Sequence, residues 1–202
     1  SSEKQGIIFK EVLNLMLLQS IKTKIMETEK KTESERRRGK GREYIPNFFF
    51  RMMTFTMKII DVFAQYSSKH FKTLDLKKNQ IVVDYGCGPA RYIKNASQAV
   101  GNKGKVYAVD IHPMAIQYVE KLISKHSLEN VESVLADGYS CSIPDNTCDV
   151  VYALDMFHMV ENTGELLREF SRFVKPTGKV IIEDGHQPRK QTLEKINETG
   201  IF

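Results

Sequence analysis

The stretch IVVDYGCGPARY (Ile81–Tyr92) runs three β-branched residues into an acid, Asp84, and then sets Gly86 and Gly88 two residues apart. After a buried strand, Gly86 can take backbone angles closed to other residues, and Gly88 lets the chain approach a ligand closely. A helix starting near Pro89–Arg91 would aim free N–H groups at that ligand, proline being favoured at the first helical position. A dinucleotide fingerprint, G-x-G-x-x-G, would need its third glycine at Arg91, a long cation. Asp84 also stands where a pyrophosphate would be repelled. A cationic ligand is therefore expected beside Asp84, and an ammonium or sulfonium centre fits. The plainer alternative is a strand–turn–helix with no ligand.

Other residues invite the same question. Asp110, Asp137, Asp155 and Asp184 recur at the ends of β-rich runs, where core packing does not explain an acid. His158, in LDMFHMVEN, is a candidate general base, or a loop residue touching cofactor or substrate. Asp155 is a candidate site residue, with a helix N-cap as its alternative. Cys141 and Cys148 suggest either thiol chemistry or free buried cysteines. No metal-ligating constellation is read.

The elements that must hold these residues alternate. Strands are expected at Ile81–Asp84, Lys105–Asp110, Val131–Ala136, Cys148–Leu154 and Lys179–Glu183, with helical stretches near 90–100, 113–127 and 162–174. This predicts an α/β fold, a doubly wound, mainly parallel sheet with helices on both faces and ligands at the carboxyl ends of the strands. Ahead of it, 7–26 reads as a helix with a broad apolar face, and 27–43 as a mobile linker or solvated helix end without large apolar residues. Residues 47–66 read as one or two helices. Phe48, Phe49, Met52, Met53, Phe55 and Met57 are the expected lining of an acceptor pocket. Helical geometry cannot turn all six inward. The division is thus 1–70, a helical cover, and 71–202, a ligand-binding domain.

With 202 residues, 41% hydrophobic and 27% charged, the chain suits one domain with an added segment. No apolar run reaches the roughly 18 residues needed to span a bilayer, and the start does not read as a secretory signal. The 3 cysteines are too few for a disulfide framework, so a reducing, cytoplasmic protein is expected. Between Lys30 and Arg42 lie seven basic and two acidic residues, a surplus equal to the whole net charge of +5. The main domain is otherwise neutral, which argues against nucleic acid as its partner.

VVDYGCGPA resembles the first motif of the class I S-adenosylmethionine-dependent methyltransferases, D/E-x-G-x-G-x-G. VYAVDIHPMAI resembles the second, VLADGYSCSIPDNTCDVVYAL the third and fourth, and LLREFSRFVKPTGKVIIED the stretch leading to strand five. The resemblance covers about residues 75–185 and is greatest to the small-molecule subgroup that includes ubiquinone and menaquinone biosynthesis C-methyltransferases. It implies a Rossmann-like sheet, S-adenosyl-L-methionine as cofactor and S-adenosyl-L-homocysteine as product. It also implies site roles. Tyr85, Gly86, Cys87 and Gly88 would cradle the methionine end, with Asp84 near its ammonium. Asp110, with Ile111 beside it, would grip the ribose hydroxyls. Asp137 and the Gly138 N–H would hold the adenine, and Asp155 would border the transferred methyl. The partner implied is a small-molecule methyl acceptor. Ala90 stands at the third glycine of the motif and Thr177 at a late one. The sixth and seventh strands usual in the family are short or missing. The N-terminal helices offer a surface for a homodimer. A non-catalytic cofactor-binding module is the alternative from a different class. An RNA methyltransferase is a third reading, weakened because ALDMFH stands where an N/D-P-P-Y/F signature would follow strand four.

Overall fold

The structure is a computed structural model and describes residue 43, residues 45–64 and residues 71–202. The helix expected over 7–26, nearly all of the linker and Tyr44 lie outside the described residues.

Five parallel strands form one sheet in the order β3-β2-β1-β4-β5. They are β1 (Ile81–Tyr85), β2 (Lys105–Asp110), β3 (Val131–Leu135), β4 (Cys148–Leu154) and β5 (Val174–Glu183). The helices are α1 (Asn47–Ala64), α2 (Ile93–Val100), α3 (Pro113–His126), α4 (Thr163–Phe173) and α5 (Arg189–Asn197). Successive strand residues point to opposite faces, and two cores result. Val82, Val106, Ala108, Val150 and Tyr152 face α2 and α3 through Ile93, Ala96, Val100 and Val119. Val83, Tyr85, Val109, Val151 and Ala153 face α4 through Leu166, Leu167, Phe170 and Phe173. β1, β2 and β4 are buried on both sides, which is why they read as near-continuous apolar runs, whereas β3 and β5 at the edges are partly exposed.

Chain order reverses beside β1: β2 lies on one side and β4 on the other. Open α/β sheets bind ligands at such a switch point, outside the carboxyl ends of the strands. Two boundaries differ from expectation by more than two residues. The first helix after the glycine turn begins at Ile93, not near Pro89–Arg91, because Ala90 takes φ +64°, a left-handed conformation no helix interior accepts. β5 begins at Val174 rather than Lys179, pairing Cys148 with Val174 across an irregularity before regular pairing resumes at Val150–Lys179. β5 is the edge of the sheet, and residues 198–202 add no strand to it. Among the described residues no helix is long and apolar enough to cross a membrane.

Candidate active site

The carboxyl ends of β1, β2 and β4 open onto a solvent-connected cavity, the place where open α/β sheets take small-molecule ligands. β1 delivers Asp84 and Tyr85, and the turn after it brings Gly86, Cys87 and Gly88. The turn is anchored to β2, since the N–H groups of Gly86 and Cys87 both donate to the Val109 carbonyl at 2.8 and 3.0 Å. Gly86 is at φ +76°, and a Cβ there would meet Met156 Cγ at 2.8 Å. At Gly88, φ +50°, a Cβ would have only the Gly86 carbonyl oxygen within reach, at 4.0 Å, so this face of the turn is open to a ligand.

Two carboxylates flank the turn. Asp84 is 2% exposed, and its Oδ2 has no hydrogen-bond partner. Burial pushes its pKa up to about 8. The Tyr152 hydroxyl, in register on β4, lies near enough to oppose that shift, yet it too is buried without a hydrogen-bond partner. Buried polar groups are normally paired. An unpaired carboxylate oxygen in a cavity wall therefore calls for a donor from a ligand. Asp110, at the end of β2, accepts the Gly88 N–H on Oδ2 at 2.9 Å and the His112 N–H on Oδ1 at 2.7 Å. Burial raises its pKa, and those two backbone bonds oppose the rise. Each oxygen keeps a second lone pair, so the carboxylate can still accept two ligand hydroxyls.

Ile111, Gly138 and Asp155 also line the cavity. Asp155 sits at φ +55°, its N–H donating to the Glu183 carbonyl and its Oδ1 accepting from the Gly185 N–H at 3.1 Å. It caps no helix, so the N-cap alternative is set aside. Asp137 is exposed beyond the end of β3 and is not in the cavity wall, though the next two residues are. His158 also lies outside the wall. Its Nδ1 stands 3.0 Å from both oxygens of Asp184, and its ring lies 4.7 Å from that of His186. Burial raises the Cys87 thiol pKa well above its usual value, and moves Cys141 up to about 11 and Cys148 up to about 12. Such thiols stay protonated and are poor nucleophiles or metal ligands.

The helical cover is turned differently from the expected lining. Of the six residues named, Met53 and Met57 line the cavity, whereas Phe48, Phe49, Met52 and Phe55 are exposed. Phe50 lines it instead and stacks on His112, ring centroids 4.4 Å apart. The spacing 50, 53, 57 is one face of a helix; its phase is set by this stacking contact, which composition does not encode. A strap ahead of α1 was also missed. The His112 ring bridges the Met114 N–H and the Ile45 carbonyl, which makes Nδ1 the acceptor and Nε2–H the donor. Glu43 accepts from the Tyr139 hydroxyl and, at 2.7 Å, from the Glu161 N–H. Tyr139 OH in turn accepts the Asn162 N–H at 2.8 Å. The signal that was available lay in HP of VDIHPMAI and GY of ADGYS, each just past a strand-end acid.

Residues 83–182 match the family described as a methyltransferase domain. Demethylmenaquinone methyltransferase of Geobacillus sp. (strain WCH70) is 31% identical over 117 residues, 58% of this chain and 50% of that protein. Phosphoethanolamine N-methyltransferase of Triticum aestivum is 33% identical over 120 residues, 55% of this chain and 21% of that protein. The chain thus spans about half the length, or less, of these relatives. A crystal structure of a SAM-dependent methyltransferase from Aquifex aeolicus superposes with a TM-score of 0.61 at 27% identity, covering 70% of this chain and 81% of that one. With the strand order, the glycine turn between two strand-end acids and these matches in agreement, the chain belongs, through residues 83–182, to the class I S-adenosylmethionine-dependent methyltransferase family.

Proposed function

We propose that this chain transfers the methyl group of S-adenosylmethionine to an apolar small-molecule acceptor. The observation that carries the reading is the pair of buried carboxylates around an open glycine turn, one with an orphaned oxygen. Bound there, the cofactor would supply an electrophilic methyl carbon on a sulfonium. Asp84 Oδ2 would accept from its ammonium, and Asp110 would accept both ribose hydroxyls. Gly138 would border the adenine, with Asp137 closing from the rim. The acceptor side of the cavity is hydrophobic, built by Phe50, Met53, Met57, Met159 and Val160. Residues 45–64 would thus act as the cover of the 71–202 domain. An apolar wall favours an acceptor of the kind named in the demethylmenaquinone relatives over a phosphorylated amine. Methyl transfer needs chiefly alignment and exclusion of water. Asp155 in the wall is the group proposed to take a proton where the acceptor has one to lose, and His158, oriented by Asp184 but set back from the wall, would do so through a bridging water.

The test is calorimetry with the cofactor and its demethylated product, followed by transfer of a labelled methyl group to an acceptor panel led by demethylmenaquinone. Asp110→Ala removes two charge-assisted hydrogen bonds at about 1.5–3 kcal/mol each, so affinity should fall at least tenfold. Equal affinity of wild type and variant would refute the site. Cofactor binding with no transfer to any acceptor would leave a binding module.

A further inference from the structure

Tyr152 stands behind the cavity wall. It is fully buried, and its register partner on β1 is Asp84, which lines the cavity. Neighbouring strands lie about 4.8 Å apart and register partners share a face of the sheet, so the ring runs alongside the carboxyl group. Each of the two carries a buried atom with no hydrogen-bond partner, Oδ2 of Asp84 and the hydroxyl oxygen of Tyr152. Orphaned polar atoms are uncommon in a folded core, and here two of them stand on facing residues.

The other groups around this pair cannot serve it as strong donors. Asp110, from β2, is a carboxylate that itself accepts two backbone N–H groups. Cys87 of the turn faces both residues, and a thiol is a weak donor. Tyr92, ahead of α2, faces the Tyr152 phenol. α2 and α3 pack this side of the sheet with Ile93, Ala96, Val100 and Val119, none of them titratable. A buried carboxyl group is costly to ionise unless a donor meets it, and an arriving ammonium demands that ionisation. A tyrosine hydroxyl suits both states, accepting from the protonated group and donating to the ionised one. We propose that Tyr152 is a positioning residue for the cofactor's ammonium, its hydroxyl turning to donate to Asp84 when the carboxyl group releases its proton to solvent and takes the ligand. The phenol keeps its own proton throughout, because burial and the adjacent Asp84 hold it well above its usual range. It already opposes the rise that burial imposes on Asp84, while Asp110 adds to that rise. The role toward the ammonium rests on the methyltransferase reading; the hold of Tyr152 on Asp84 does not.

The test is Tyr152→Phe, which removes one oxygen and keeps the ring. Losing a buried hydroxyl without a partner should leave the fold intact. Chemical denaturation without ligand reads the first effect. The Asp84 pKa of about 8 should climb to about 9 once the donor is gone. Stability contributed by a raised pKa is lost as pH rises through the folded value, so the loss should extend to about pH 9 in the variant. Calorimetry reads the second effect. Hydrogen bonds to charged groups are the stronger ones, so S-adenosylhomocysteine should bind the variant about five- to tenfold more weakly near pH 6. The gap should close as pH rises past about 9, where Asp84 is ionised in both proteins before the ligand arrives. 5′-Methylthioadenosine, which lacks the amino-acid portion, should bind both alike. In an Asp84→Asn background the substitution should change affinity by less than about twofold. Equal affinity of wild type and Tyr152→Phe for S-adenosylhomocysteine near pH 6 overturns the proposal. So does a loss shared by 5′-methylthioadenosine, which would make Tyr152 a packing residue, and so does a loss that persists in Asp84→Asn. An unmoved stability window overturns the hold on Asp84 itself. Should neither ligand bind the wild-type protein, the methyltransferase reading falls and the ammonium role with it, while the stability window still decides whether Tyr152 sets the state of Asp84.

Discussion

Asp84 is the residue at which burial and function conflict. Its pKa in the fold is near 8, against an ordinary value near 4. A group whose pKa is raised by folding contributes stability that is full below its unfolded value and is lost as pH rises through the folded one. Wild-type stability should therefore carry a term that declines between about pH 4 and pH 8, and Asp84→Asn should remove it. Chemical denaturation at the two ends of that window checks the sign. The same variant should abolish proton release on cofactor binding below pH 8, since an arriving ammonium favours the ionised carboxylate; calorimetry in buffers of different ionisation enthalpy reads this directly. His158 makes the opposite case, exposed to a degree and ready-oriented by Asp184. His158→Ala should lower kcat by about a hundredfold or more and leave cofactor affinity alone. An unchanged kcat would show that alignment suffices. Asp84 and Asp110 were legible because an acid at a strand end beside glycine has no packing reason to be there. Glu43 was not, because it meets Tyr139 across 96 positions and belongs to no local pattern.

At the scale of elements, the glycine turn holds its shape partly through a residue poorly suited to it. Ala90 sits buried in the left-handed region where the family motif has glycine, at a cost of roughly 1–2 kcal/mol. Ala90→Gly should raise stability by about 1 kcal/mol, an increase of roughly 2–4 °C in Tm for a domain of this size. A lower Tm would mean that the Cβ packs better than the backbone suffers. For α1 the question is facing. Met53→Glu puts an unpaired charge in the acceptor wall and should impair turnover at least tenfold while sparing cofactor affinity. Phe49→Glu, on the exposed side, should do neither with a soluble acceptor. The central strands β1, β2 and β4 were legible in sequence, because burial on both faces forces apolar runs of definite length. The phase of α1 was not, because a helix apolar on both sides leaves its rotation to be settled by tertiary contacts such as Phe50 on His112. The start of β5 was hidden by KPTG, which reads as a loop; Pro176 is tolerated there only because the strand is an edge.

At the scale of the whole molecule, the strap joins the cover to the sheet at two points. His112 receives it two residues after Asp110, and its own N–H is held by that carboxylate. Tyr139 receives it two residues after Asp137. The loops proposed to hold the cofactor are thus the ones that fasten the door. Coupling between two sites is reciprocal: whatever stiffens one stiffens the other by the same free energy. A nucleoside settled against Asp110 would tighten the latch at His112, and a closed latch would slow its departure. An enzyme so built would work in a fixed order, with the methyl donor seated first, the acceptor admitted to a finished room, and the spent donor leaving last.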